Sequence, residues 1–234
     1  MGRTSFDRRQ LSRSKLDLFL ECPRCFYEDL VRRNGRPGGP PFTLNIAVDE
    51  LFKREFDAHR ARQEPHPLFA TVGLDAVPLQ DSRLPQWRHN FTGVRWLDPD
   101  TGWTLYGAVD DLWLGADGRV MVADYKATSK AEHVTSATLH PAYRRQADVY
   151  QFLVAQQGLE VSDRAWFVYA NGLKTADGFH DTLRFDTRLV AYDGDRTWVA
   201  DAFREAVSLA LSGQLPDPGP ECAWCTFAAA WTVR

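Results

Sequence analysis

In the stretch ADYKATSK, residues 123–130, an acid and an amine stand two positions apart at the end of a run of strand-forming residues. Side chains at i and i+2 of a strand leave the same face, so Asp124 and Lys126 share one. More acid lies upstream. GAVDDLWL holds Asp110 and Asp111, and a GADG turn (115–118) separates it from RVMVADYKA (119–127). Folding that hairpin brings Asp110 or Asp111 close to Asp124, and either of the two neighbours can face the pocket. Opposed carboxylates repel unless a cation lies between them, and Mg²⁺ or Mn²⁺ prefers such hard oxygens. Lys126 can then hold a water or the charge that develops on an attacked phosphate. A metal and an ammonium beside a phosphodiester make a hydrolysis site. The plainer alternative is a salt-bridged hairpin, with Asp124 paired to Lys126 or Arg119 and Asp110 at the surface. Gly107 favours close backbone approach nearby.

Downstream, YRRQADVYQF puts Gln146 and Tyr150 at i and i+4 of a helix, on one face, with Arg144 and Arg145 beside them. Beside the carboxylates this group suits a clamp on a DNA backbone. All four cysteines fall in two CxxC pairs, Cys22–Cys25 and Cys222–Cys225. Each pair can bite one metal, and four thiolates suit zinc or an iron–sulfur cluster. The pairs lie at opposite ends of the chain, so a shared metal staples the N-terminal helix to the C-terminus. Two unrelated buried pairs are the alternative.

Elements must position these groups. A helix is expected from Ser12 or Ser14, good N-caps, through LDLFLECPRCFYEDLVRR. After the breaker-rich NGRPGGPP (34–41), NIAVDELFKREFDAHRARQ reads as an amphipathic helix with Ile46, Leu51, Phe52 and Phe56 near one stripe. Residues 65–90 are irregular. An antiparallel meander follows: FTGVRWL (91–97), the turn DPDTG, WTLYGAVDDLWL (103–114), the turn GADG and RVMVADYKA. A helix starts at Pro141 and runs to Gln157, with Gly158 as its stop. AWFVYAN (165–171) reads as a buried strand and HDTLRFDT (180–187) as an edge strand. A helix over 197–212 precedes the Pro/Gly segment and the terminal cysteines. The order implies one mixed α/β domain over 1–234 with a central sheet, residues 1–40 and 213–234 forming the cysteine region.

The 234 residues are 44% apolar and 25% charged, an ordinary soluble globular balance, and no apolar run is long enough for a bilayer. No signal-peptide core is visible, so the expected location is cytoplasmic. Net charge is −3, so no global field attracts nucleic acid. The charge is uneven, however: residues 1–36 hold nine Lys/Arg against five acids, +4 against −7 for the remainder. A local basic patch can bind phosphate while an acidic site elsewhere holds metal; a solvated helix face is the alternative.

The ordered set LSRSKLDLFLECPRCFY, GAVDDLWL…VADYKA, QADVY and a terminal CxxC resembles the PD-(D/E)XK nuclease superfamily. It is most similar to the RecB/AddB-type branch that includes the CRISPR-adaptation exonucleases. The resemblance implies a restriction-endonuclease-like mixed central sheet flanked by helices, and a Mg²⁺- or Mn²⁺-dependent deoxyribonuclease, an exonuclease before an endonuclease. It implies that Asp110 and Asp124 ligate metal, that Lys126 is the catalytic lysine, and that Gln146 and Tyr150 match the branch's QxxxY helix. In AVDELF, Asp49 stands where the CRISPR-linked enzymes have His, a third ligand with Glu50 as fallback. The iron–sulfur members place one Cys early and three late; here Trp231 occupies the last of those positions and Cys25 is additional. A [4Fe–4S] cluster and zinc both remain open. In this picture Arg24, Arg32, Arg33, Arg144 and Arg145 track the phosphates of single-stranded DNA or duplex ends, in repair, recombination or defence against mobile elements. The chain has no helicase P-loop, so unwinding needs a partner. The rival readings are a non-catalytic nucleic-acid-binding module and a zinc-stapled subunit of a helicase–nuclease complex.

Overall fold

A computed structural model describes residues 6–40 and 42–232; Arg3 of the basic N-terminus lies outside them. In chain order the elements are β1 (Gln10–Ser12), α1 (Arg13–Glu21), α2 (Pro23–Leu30), α3 (Thr43–Arg62), α4 (Pro67–Ala70), β2 (Ala76–Pro78), α5 (Leu84–Trp87) and β3 (Val94–Leu97). Then come β4 (Thr104–Gly107), β5 (Asp111–Gly115), β6 (Val120–Thr128), α6 (Pro141–Ala155), β7 (Arg164–Gly172), β8 (Phe185–Asp193), α7 (Val199–Leu211) and α8 (Ala223–Thr232). The architecture is mixed α/β, with a three-stranded sheet in the order β1-β4-β3 and a five-stranded sheet in the order β2-β5-β6-β7-β8. Among the described residues no helix is long and apolar enough to cross a membrane.

The chain divides into two compact units. The first comprises Met1–Pro40, Arg95–Gly107 and Arg196–Arg234. Its expected single N-terminal helix is two helices. The Pro23 ring disfavours helical backbone at the residue before it, and Cys22 is extended at φ −158° and ψ 105°. Ser12 caps α1 as expected, its Oγ accepting from the Lys15 N–H at 3.3 Å. Helix α7 buries Val199, Ala202, Phe203, Ala206, Val207 and Ala210 along one stripe and packs on α1. The DPDTG turn forms, with Asp98 accepting from the Thr101 hydroxyl at 2.8 Å and from Arg204 Nη2 of α7 at 2.9 Å.

The second unit comprises Pro41–Val94 and Ala108–Asp195 and contains the five-stranded sheet. Strands β2, β5 and β6 are antiparallel neighbours; β6 and β7 are parallel, joined by the α6 crossover that parallel pairing requires. Strand alternation gives the sheet two different faces. Trp113, Met121, Ala123, Tyr125, Trp166 and Val168 form an apolar core with Phe52 and Phe56 of α3. Asp124 and Lys126 leave the other face, toward α6.

Several expectations shift. WTLYGAVDDLWL is not one strand: it divides between the two sheets, because the backbone at Val109 and Asp110 is occupied by the α5 turn. Val109 N–H donates to the Trp87 carbonyl at 3.1 Å and Arg88 Nε to the Asp110 carbonyl at 2.8 Å. Of the proposed α3 stripe, Phe52 and Phe56 are buried while Ile46 and Leu51 are exposed. The last strand starts at Phe185 rather than at residue 180, after positive φ at His180 and Asp181 breaks extended backbone. It is an edge strand, as expected. Residues 65–90 contain β2 and two single-turn helices.

Phe56 is fully buried and stacks on Trp113 at 5.4 Å and on His66 at 4.0 Å between ring centroids. Phe56→Ala is expected to cost about 3–5 kcal/mol of unfolding free energy, read as a lowered denaturant midpoint.

Candidate active site

The hairpin register decides which acid meets Asp124. Asp111 pairs with Ala123, so continuing the ladder by one residue sets Asp110 across from Asp124. The Tyr125 N–H donates to Asp110 Oδ2 at 3.1 Å. Asp124 is almost wholly buried, and Lys126 Nζ forms an ion pair with its Oδ2. Gln146 of α6 bridges the two: its Nε2 donates to Asp124 Oδ1 at 2.8 Å, and its Oε1 accepts from Lys126 Nζ at 3.3 Å. Gln146 Nε2 also lies 3.3 Å from the Tyr150 hydroxyl oxygen, one helical turn away.

Asp49 of α3 approaches this group through Lys53, whose Nζ is 2.7 Å from Asp49 and 3.5 Å from Asp110. Glu50 points elsewhere, to Arg54 at 3.7 Å, and stays exposed. With all three ionised, three carboxylates face two ammonium groups, an excess of one negative charge at half-buried and buried positions. Burial pushes the Asp124 carboxyl up to about 7; Lys126 pulls it back and the Asp110 charge adds to the rise. Burial works against the Lys126 ammonium, but Asp124 and Asp110 outweigh it and hold that group above the usual lysine value. Burial and the Asp110 charge raise Asp49 as well.

A hard dication suits such a donor set: oxygen ligands, excess negative charge, and a carboxylate whose charged form is disfavoured until a cation arrives. Asp110, Asp124 and Asp49 would hold it. Among the described residues their oxygens are not drawn as tightly together as the cysteine sulfurs, which all lie within 4.8 Å of one another. Lys53 Nζ lies between Asp49 and Asp110.

Two contributors escaped sequence reasoning. Lys53 is one, and its only signal was a position one helical turn after Asp49. Tyr143 is the other: its ring centroid lies 4.6 Å from Lys126 Nζ, a cation–π contact. It stands three residues before Gln146, on the same helix face. Gln146 and Tyr150 themselves are buried, at 7% and 5% exposure, so they brace the Asp–Lys pair from behind and do not form a surface clamp. Among the arginines, Arg24 donates to the Pro216 carbonyl at 2.9 Å and Arg32 pairs with Glu28 at 3.1 Å. Arg33 pairs with Asp7 at 3.5 Å, and Arg144 donates to the Ser136 carbonyl at 2.9 Å. Arg145 is half-buried on α6.

Asp111 has a different role. It is fully buried on the opposite face, accepting from the Tyr125 hydroxyl at 2.7 Å and from Arg88 Nη2 at 2.9 Å, and ion-paired with Arg60. Removing one partner of a buried ionic network leaves the other charges uncompensated. Asp111→Ala is expected to destabilise by about 3–5 kcal/mol in chemical denaturation, whereas Asp110→Asn leaves the unfolding midpoint near that of the wild type.

The cysteines meet in the first unit. Cys25 Sγ lies 3.5 Å from Cys222 Sγ and 3.6 Å from Cys225 Sγ, and Cys22 Sγ lies 3.7 Å from Cys225 Sγ. The two CxxC pairs are thus brought together, as the sequence implied.

The model of the PD-(D/E)XK nuclease superfamily matches residues 40–230. Comparison with curated proteins gives no match. Among solved structures, the crystal structure of SSO0001 aligns over 94% of this chain and 84% of its own with a TM-score of 0.42 and 12% identity. The family match spans most of the sequence and includes the hairpin, the Asp–Lys pair and the Gln146 helix, and by it the chain belongs to the PD-(D/E)XK nuclease superfamily.

Proposed function

We propose that the chain is a metal-dependent deoxyribonuclease of the RecB/AddB type, related to the CRISPR-adaptation exonucleases, acting on single-stranded DNA or duplex ends in repair, recombination or defence. The observation that supports this reading best is the buried Asp124–Lys126–Gln146 group facing Asp110 across the hairpin. Asp110, Asp124 and Asp49 would hold Mg²⁺ or Mn²⁺, and the ion would supply Lewis acidity for phosphodiester hydrolysis.

The chain's own residues do the rest. Lys126 orients the attacking water or balances charge on the phosphate. Gln146 fixes the ammonium and the carboxylate relative to each other, and the Tyr143 ring limits where the lysine can turn. Asp124 is the group through which protons and metal compete. Arg144 and Arg145, at the start of the same helix, are candidates for phosphate contact.

Labelled single- and double-stranded DNA, incubated with Mg²⁺ or Mn²⁺, tests the reading. The wild type is expected to cleave, and Lys126→Ala to lose at least about 100-fold in rate. Asp124→Ala is expected to abolish cleavage. Equal rates in all three proteins would remove the proposed site, and wild-type binding without cleavage would favour a non-catalytic module.

The pH dependence follows from Asp124. A raised carboxyl holds its proton up to about 7, and that proton must leave before the oxygen can ligate. At fixed, subsaturating Mg²⁺ the cleavage rate is therefore expected to fall as pH drops through that value. Raising the metal concentration is expected to restore it, moving the midpoint to lower pH. A midpoint independent of metal concentration would contradict the assignment.

A further inference from the structure

The spacing of the four cysteine sulfurs separates two kinds of metal centre. A disulfide needs a sulfur–sulfur distance of about 2.05 Å, and all four cysteines are free. Four thiolates about 2.3 Å from one ion stand at the corners of a tetrahedron with edges of about 3.8 Å. The separations of 3.5, 3.6 and 3.7 Å lie close to that edge. In a [4Fe–4S] cube each thiolate ligates a different iron, so the sulfurs surround a body several atoms across and do not converge on a point. A set in which every sulfur is within 4.8 Å of every other has no room for the cube. The redistribution of the cysteines two and two agrees, because paired CxxC turns are the usual way to enclose one ion.

We infer that Cys22, Cys25, Cys222 and Cys225 bind a single tetrahedral zinc ion, in a closed structural site. Thiolate softness and four-coordinate geometry favour zinc among the common divalent metals. The surroundings are arranged for thiolates. Cys25 N–H donates to Cys22 Sγ at 3.4 Å, and Gly219 N–H donates to the same sulfur at 3.2 Å. Gly219 has to be glycine for this: a Cβ there would stand 2.7 Å from the Glu21 carbonyl oxygen and 3.3 Å from Cys22 Cα. Four thiolates around a dication leave two negative charges. Arg36, outside both CxxC pairs, answers them, its Nη2 3.4 Å from Cys222 Sγ and its Nη1 held by Glu21 at 2.7 Å. Arg36 is thus a positioning residue for the centre.

The test is the metal content of the full-length chain, purified anaerobically so that an oxygen-sensitive cluster would survive. Elemental analysis is expected to give about one zinc per chain, neither iron nor acid-labile sulfide, and a colourless solution. Replacing the zinc with cobalt(II) is expected to give the intense visible absorption of a tetrahedral thiolate site, a readout that needs no variant. Iron and sulfide in cluster proportion would overturn the inference, as would four freely titratable thiols with no metal. Arg36→Gln is expected to keep the tetrahedral cobalt spectrum while weakening zinc about 10- to 100-fold in chelator competition. Wild-type affinity in that variant would remove Arg36 from the centre. None of these readouts depends on DNA cleavage, so they stand or fall apart from the nuclease reading.

Discussion

Strand β6 carries two incompatible tasks on its two faces, and the one-residue alternation of the strand keeps them apart. Tyr125 and Ala123 belong to the apolar side under α3; Asp124 and Lys126 belong to the side under α6. The same alternation separates Asp110 from Asp111. One acid turns to the Asp124 side, and its neighbour turns inward to two arginines and a tyrosine. A slip of one residue in the β5–β6 register would exchange them and bury the wrong charge on each side. The hairpin register is therefore the constraint on which both the core and the candidate site depend.

That register produces charge without full compensation. Asp111 is matched by Arg60 and Arg88, while Asp49, Asp110 and Asp124 outnumber Lys53 and Lys126. Stable folds avoid an excess of buried charge unless function holds it there. The β6–α6–β7 crossover supplies the second half of the arrangement, since it lays Tyr143, Gln146 and Tyr150 along the strand that presents the Asp–Lys pair. Rigid elements on both sides position the groups to within hydrogen-bonding distance, which a loop would do less well.

Much of this was legible in the sequence because it depends on local periodicity. The two-residue spacing put Asp124 and Lys126 together, the four-residue spacing put Gln146 with Tyr150, and Pro141 and Gly158 bracketed α6. The choice between Asp110 and Asp111 was not legible, because it turns on where the strand begins, and that is set by Trp87 and Arg88 engaging the backbone of residues 109–110. Lys53 and Tyr143 were missed since each matters only through a partner on another element. The exposed Ile46 and Leu51 show the same limit: helical period predicts a stripe, but the neighbouring sheet decides which part of it is covered. The break between α1 and α2 also departs from the single helix expected there, although CPRC carries its cause: a proline directly after a cysteine favours extended backbone at that cysteine.

On the proposed reading, Asp110 and Asp124 face each other to hold a dication. Anomalous scattering from crystals grown with Mn²⁺ tests it most directly. One strong peak is expected between these two side chains, with carboxylate oxygens of both at about 2.1–2.2 Å and Lys126 still beside Asp124. A map from fully metal-loaded protein with no peak there, or with the ion ligated elsewhere and Asp110 still bound to Lys53, would contradict it.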